Sequence, residues 1–324
     1  MGRNLVNEDA AHTRSPLSQA RFESELGPLR AELHAHCYRM LGSVHDADDA
    51  LQNGLLRAWR AYGHFDGRSS IRTWLYTIVT RTCIDEATAR GRRALPIDLG
   101  PASPVSIVDA APHSETAWLT PYPDPAEHSE RAADIELAFV AVLQQLSGNE
   151  RAAFLLADVL GFSAPDVAEI LSTSPASVHS ALGRARRSLA RADRPLPPTR
   201  PDQLDLARRF AQALACADLP AFVALLTPDV TWQMPPLKAW YAGADAVAAF
   251  AHAVPMTLCP SWRTQVLTAN GQPAVAFYLG ETDGASHKAW SLTILTVERG
   301  RIAEIASFLD PGLFARFGLP HDIV

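Results

Sequence analysis

The stretch SAPDVAEILSTSPASVHSALGRARRSL, Ser163–Leu189, reads as two short helices with a tight turn between them. Ser163 stands where an N-cap belongs, and Pro165 falls in the first turn, where its missing N–H is no loss. Ser172-Thr-Ser174 forms the turn, and Ser174 with Pro175 repeats the same start signal. In the second helix Val178, Ala181, Leu182, Ala185 and Leu189 recur at helical spacing on one face. Ser177, His179, Ser180, Arg184, Arg186, Arg187 and Arg191 are left for the outside. A basic second helix after a short turn is the helix-turn-helix arrangement, whose early residues face bases in a major groove. A small bundle that ends in a basic helix gives the same pattern.

Working outward, residues from about Gln19 to Arg93 are also helical. Leu29, Leu33, Cys37, Met40 and Leu41 form one apolar stripe, and Gly42 ends that helix. Ser43 caps the next, whose first turns carry Asp46, Asp48 and Asp49, before Leu51, Leu55, Leu56 and Trp59. A third helix runs from Ser69 and Ser70 through Ile71, Trp74, Leu75 and Ile78 to Ile84. Trp59, Tyr62 and Phe65 lead into Arg68-Ser-Ser-Ile-Arg72-Thr-Trp74. Rings beside arginines suit single-stranded nucleic acid, where bases stack and guanidinium groups hold phosphates. Trp59 and Trp74 also share a face with leucines, which suits core residues equally well.

The chain has 324 residues, 48% of them hydrophobic and 20% charged, enough for two or three folded domains. No apolar run is long enough to span a bilayer, and the polar N-terminus lacks a signal-peptide core, so a cytoplasmic protein is expected. Cys37, Cys83, Cys216 and Cys259 lack metal-ligand spacing and read as small buried or half-buried residues. The net charge of −6 hides an asymmetry: Pro96–Glu136 holds eight acids and one base, Ala176–Arg194 five arginines and one acid. A basic stretch beside an acidic linker fits local contact with DNA. The expected organisation is a flexible N-terminus (1–18), a helical domain (19–93), a linker (94–131), a second helical domain (132–194), a Pro-rich breaker (195–202) and a C-terminal domain (203–324).

That last domain begins with helices at 204–214 and 219–226. An alternating strand follows at Val230–Met234, then a helix over Gly243–Ala253. Strands are expected at Trp262–Ala269, Pro273–Gly280, Ala289–Arg299 and Ile302–Phe308, with Glu298–Arg301 as a hairpin turn. Helices followed by antiparallel strands predict an α+β cone. Trp232, Met234, Trp240, Tyr241, Trp262, Trp290 and Phe308 are candidates to line its pocket, with His252, His287 and Asp310 the nearby groups for polar chemistry. Sequence spacing brings no two of these polar groups together, so no catalytic residue, metal or cofactor is expected.

Tyr38–Trp59 and Phe65–Asp85 resemble region 2 of the extracytoplasmic function (ECF) sigma factors, and Leu146–Leu189 resembles their region 4. Tyr241–Phe250 and Ile302–Asp310 resemble the SnoaL-like branch of the NTF2-like fold. The Trp118-Leu-Thr-Pro-Tyr-Pro-Asp124 segment is similar to a docking motif of ECF factors with such an extension; its residues Trp118, Leu119, Pro121, Tyr122, Pro123 and Asp124 are read as interdomain linker. The implied architecture is two all-α sigma domains and an NTF2-like cone. The resemblance implies that Asp46, Asp48, Asp49 and Gln52 dock on the β′ clamp helices of RNA polymerase. It assigns the −10 promoter element to Phe65, Arg68, Ser69, Arg72, Trp74 and Arg81. It assigns the −35 element to Ser174, Ser177, His179, Ser180, Arg184, Arg186 and Arg187, in a module that also touches the β flap. Asn53-Gly54 replaces an acidic-Thr pair usual in the family, and Arg81 replaces a frequent Asn. The implied partners are polymerase core and promoter DNA, without a membrane; an anti-sigma protein or a small ligand stays open. The implied function is promoter-directed initiation with the cone as fused regulator, holding the two modules closed through the 118–124 segment. A metabolite sensor or enzyme in the cone is the alternative. Two DNA-contacting blocks and an acidic docking helix argue against a simple repressor.

Overall fold

The structure, a computed structural model, describes residues 16–104, 116–124, 137–189 and 201–324. Residues 1–15, the linker stretches 105–115 and 125–136, and 190–200, with Arg191 and Arg194 among them, lie outside the described residues. The first domain contains α1 (Pro16–Leu26), α2 (Arg30–Leu41), α3 (Val44–Ala61) and α4 (Ile71–Arg90). Helix α1 begins at Pro16, inside the segment expected to be flexible; Phe22 and Leu26 anchor it, Phe22 packing on Trp59 and Tyr62. Ser43 caps α3 by accepting from Asp46 N–H at 3.3 Å, and Ser70 caps α4 by accepting from Thr73 N–H at 3.0 Å. Leu33, Cys37, Met40, Leu75 and Val79 close the core between α2, α3 and α4. The unusual Gly54 has a packing reason: a Cβ there would meet Val79 Cγ2 at 3.0 Å, so glycine lets α3 and α4 approach.

The second domain contains α5 (Leu137–Leu143), α6 (Gly148–Phe154), α7 (Ala164–Ile170) and α8 (Pro175–Leu189). Helix α6 continues as a π-helical turn over Leu155–Val159. Ser147 with Glu150, and Ser163 with Asp166, form reciprocal capping boxes at α6 and α7. Ser174 caps α8 by accepting from Ser177 N–H at 3.2 Å. The turn before it passes through Ser172 at φ 51°.

The C-terminal domain opens with α9 (Pro201–Ala215) and α10 (Leu219–Ala224). Strands β1 (Leu226–Gln233) and β2 (Trp240–Ala242), then α11 (Ala244–Ala253), lead into a meander of β3 (Ser261–Ala269), β4 (Gln272–Gly280), β5 (His287–Glu298) and β6 (Arg301–Phe308). Short α12 (Leu313–Arg316) and β7 (Asp322–Ile323) follow. The sheet order is β2-β1-β6-β5-β4-β3, with β7 on β5. The expected all-antiparallel order is corrected at one place: β1 runs parallel to β6. The α11 crossover and the meander bring β6 back beside β1 in the same direction.

The sheet is buried on both faces. Its concave face holds Phe210, Phe222, Trp232, Phe250 and Phe277 under α9, α10 and α11. Its convex face contributes Ala269, Ala274, Ile294, Ala306 and Phe308 to the same apolar cluster as Tyr38, Leu119, Leu137 and Val140. One continuous core therefore joins the cone to both helical domains. At about 25 cal/mol per Å² of apolar surface removed from water, such a contact is a main source of domain cohesion.

Candidate polymerase, promoter and ligand surfaces

The outer face of α8 is open. Ser174, Ser177, His179, Ser180, Arg184, Arg186 and Arg187 are all exposed. Val178, Ala181, Leu182 and Ala185 are buried, so the expected division of the helix is observed. Two arginines also brace the domain. Arg184 pairs with Glu150 at 2.5 Å, holding that carboxyl below its usual range, and Arg186 grips Asp158 with two bonds of 2.8 and 2.7 Å.

The residues assigned to the −10 element divide into two groups. Phe65 packs on Trp74 with ring centroids 5.1 Å apart, both rings half-buried, while Arg68 is exposed and pairs with Asp66 at 2.7 Å. Ser69 lies half-buried just ahead of the Ser70 cap. Arg72 and Arg81 instead reach across to the second domain. The Arg72 guanidinium pairs with Glu32 at 2.5 Å, donates to the Leu160 carbonyl at 3.4 Å and lies 4.3 Å over the Phe162 ring. Arg81 donates to the Ile170 carbonyl at 3.2 Å and to the Ser172 hydroxyl. The α7 end of the second domain thus sits on the α4 face.

The acidic helix is partly occupied as well. Asp46 is corrected from surface ligand to internal partner: it is 6% exposed and ion-paired with Arg93, which also donates to the Trp118 carbonyl at 2.5 Å. An ion buried in this way needs its counterion, and losing one partner costs about 3–5 kcal/mol. Asp48 is half-buried between His34 at 2.9 Å and Arg316 of α12. Asp49 and Gln52 are exposed. They border a groove of about 740 Å³ with Leu55, Leu56 and Arg316.

The 118–124 segment joins the first domain to the cone. Its backbone bridges Ala94 at Trp118 and Ala269 at Pro123. Leu119 is fully buried against Gly42, where a Cβ would lie 2.5 Å from Leu119 Cδ2; that residue also needs its left-handed φ of 68°. Pro121 is buried as well. Thr120 N–H donates to the Gly42 carbonyl at 3.1 Å, and Thr120 Oγ1 accepts from Val44 N–H at 2.9 Å. Tyr38 O–H donates to the Thr120 carbonyl at 2.8 Å and accepts from the Asn270 amide at 2.9 Å. Asp124 accepts from Gly271 N–H at 2.8 Å, and burial raises its carboxyl. Tyr122 O–H and His34 Nδ1 lie 2.7 Å apart. Because the Asp48 carboxylate only accepts, His34 Nε2–H donates to it, and Nδ1 accepts from Tyr122. Burial lowers the pKa of His34, which suits this neutral tautomer. Sequence reasoning found the segment but missed its receptors Tyr38, His34 and Asn270. Asn270-Gly271 was legible as a hairpin turn, not as a docking point.

The cone encloses a cavity of about 220 Å³ lined by Trp232, Tyr241, Phe250, Trp262 and Phe277, with Trp290 at its edge. Of the seven expected lining residues, Trp232, Met234, Tyr241, Trp262 and Trp290 belong to it, whereas Trp240 donates to the Gly100 carbonyl and Phe308 joins the core shared with the helical domains. His287 also lies elsewhere: its Nδ1–H donates to the Ala285 carbonyl at 2.8 Å and its Nε2 contacts the Ser261 hydroxyl at 2.9 Å. With both nitrogens engaged, it braces the β3–β5 end. Among the described residues lining the cavity, none carries a carboxylate or imidazole. Its titratable members, Cys259 and Tyr241, have pKa values raised by burial and so stay neutral. No three His, Cys, Asp or Glu side chains gather as metal ligands among the described residues, and none of their helices is long and apolar enough to cross a membrane.

Comparison with known proteins matches these parts one by one. Residues 28–93 match Sigma-70 region 2, residues 136–189 match Sigma-70 region 4, and residues 207–305 match the SnoaL-like domain. The ECF RNA polymerase sigma factor SigG of Mycobacterium tuberculosis is 40% identical, over 96% of this chain and 87% of the relative. SigJ of the same organism is 29% identical over 90% and 92%. The crystal structure of M. tuberculosis SigJ superposes with a TM-score of 0.59 at 24% identity, over 92% of this chain and 99% of that one, which supports the three-domain fold. The chain therefore belongs to the ECF RNA polymerase sigma factors, which bind polymerase core and direct initiation at promoters, and it carries a SnoaL-like domain after its two sigma regions.

Proposed function

We propose that this cytoplasmic sigma factor rests closed, its SnoaL-like domain acting as a built-in brake without enzymatic activity. The observation that carries the reading is the placement of Arg72 and Arg81, assigned to the −10 element, against Leu160, Ile170 and Ser172 of region 4. A single-stranded base cannot share that face with α7. Arg316 on Asp48 adds a second cover, over the helix assigned to the β′ clamp. In the open form, Phe65, Arg68, Ser69, Arg72, Trp74 and Arg81 meet the −10 strand. Ser177, His179 and Ser180 then meet −35 bases, with Ser174, Arg184, Arg186 and Arg187 on phosphates, which position without specifying. Asp48, Asp49 and Gln52 meet the clamp.

Run-off transcription with purified polymerase core tests this. A deletion of the cone would bare the apolar residues that pack on Phe308 and Ala274, so a point variant is the better probe. Asn270→Gly keeps the left-handed backbone and removes the side chain that ties the cone to Tyr38 and to Tyr122 of the segment. The variant is expected to give more transcript than the wild type at equal concentration. Equal or lower output from a folded Asn270→Gly chain contradicts the brake.

A further inference from the structure

We propose that the cavity inside the cone is a binding site for an uncharged, largely apolar molecule of one or two rings bearing one hydroxyl or carbonyl oxygen. The size comes first. A cavity of about 150 Å³ holds benzene, and this one measures about 220 Å³. The walls come second. Trp232, Tyr241, Phe250, Trp262 and Phe277 supply aromatic surface. With no acid, base or imidazole among the described lining residues, a charged ligand would be buried unpaired, at a cost of several kcal/mol.

One wall is polar. Ser307 Oγ accepts from Trp232 Nε1–H at 3.0 Å and lies 2.9 Å from Thr293 Oγ1. That pair of hydroxyls uses one of its two hydrogens internally, and the other remains to donate to an acceptor oxygen in the cavity. The mouth is apolar too: Trp290 is 44% exposed, and Leu258, next to the lining residue Cys259, is 62% exposed.

The consequence of filling the site rests on the brake described above. Along β6 the side chains alternate. Ser307 and Leu309 face the cavity, whereas Ala306 and Phe308 join the core shared with the sigma domains. The chain then runs straight to Asp310, 3.8 Å from His45, and to Arg316 on Asp48. The strand that lines the cavity thus leads directly into the segment that covers region 2.

The test uses the full chain without polymerase, so it does not depend on the brake. Calorimetry with 2-naphthol, naphthalene and 2-naphthoate at pH 7.5 compares a neutral oxygen, no oxygen and a carboxylate on one ring frame. 2-Naphthol is expected to saturate one site, with 2-naphthoate at least about 30-fold weaker, as an unpaired buried charge requires. Ser307→Ala is expected to weaken 2-naphthol about 5- to 10-fold, the loss of one hydrogen bond, and to leave naphthalene unchanged. Ala239→Phe, which fills the cavity, is expected to abolish both. If neither neutral probe saturates, the proposal is overturned. It is equally overturned if 2-naphthol binds Ser307→Ala as it binds the wild type, or binds a folded Ala239→Phe chain undiminished.

Discussion

Asn270, in the turn between β3 and β4, is paired twice with Tyr122 of the interdomain segment: its N–H donates to the Tyr122 carbonyl at 2.9 Å, and its Oδ1 accepts from Tyr122 N–H at 2.7 Å. Its side-chain amide also reaches Tyr38 O–H of region 2 at 2.9 Å. A single buried residue at φ 56° therefore touches the cone, the linker and the first sigma domain.

Removing it should loosen the assembly before it unfolds the parts. Asn270→Gly leaves buried groups on Tyr122 and Tyr38 without their partner, a loss of about 1–3 kcal/mol. Limited proteolysis at the linker is expected to speed up severalfold, with far-ultraviolet circular dichroism unchanged. Unaltered proteolysis would show that the segment is held by its apolar contacts alone.

Arg316→Glu places a like charge beside Asp48. The wild-type pair is partly exposed, with side chains 42% and 32% accessible. Such a pair is worth up to about 1 kcal/mol. Binding of polymerase core is expected to tighten about 2- to 5-fold, read by titration of labelled core. Weaker binding would instead make Arg316 part of the polymerase contact.

Arg187 and His179 should behave differently on DNA. With Arg187 on a phosphate, as proposed, Arg187→Ala should lower affinity about equally for all promoter variants, and the salt slope should drop by about 1. His179→Ala should alter the ranking among −35 variants. Fluorescence anisotropy against salt and sequence separates the two effects.

The core of region 2 sets an acid limit. His36 is fully buried, and burial, with Arg39 and Arg72 nearby, pushes its pKa down to about 3. The folded state keeps it neutral, while the unfolded chain takes up a proton below about 6.5. Stability from His36 is therefore full above that value and is lost as pH falls toward 3. Between pH 7 and 5.5 the loss is about 1 kcal/mol, and His34, lowered in the same direction by burial, adds to it. Urea unfolding at the two pH values should show this loss in the wild type and a smaller one in His36→Gln.

Much of this was legible in the sequence, because local chemistry dictates local structure. Ser43, Ser70, Ser163 and Ser174 are observed at the helix starts they signal. The strands expected at Trp262–Ala269 and Pro273–Gly280 begin within one residue of the observed β3 and β4. What escaped was decided by tertiary partners. Asp46 looks like any acidic first-turn residue until Arg93 is seen beside it. His287 looks like a pocket group until Ala285 and Ser261 claim both nitrogens. The parallel β1–β6 pair and the short α12 carry no local signature. The β4 run Pro273-Ala-Val-Ala-Phe-Tyr did hold a clue: a strand apolar at every position is covered on both faces. The departure Arg81, ambiguous in sequence, is explained by its reach to Ile170 and Ser172.

The closed arrangement is tested most directly by the distance between region 2 and region 4. Spin labels at Asp85→Cys on α4 and Ser188→Cys on α8, in a Cys216→Ser, Cys259→Ser background, report it by double electron–electron resonance in the full chain. The free protein is expected to show one short, narrow distance that lengthens when polymerase core and promoter DNA are added. A broad distribution in the free protein, or one that core and promoter leave unchanged while transcription proceeds, would contradict the closed resting state.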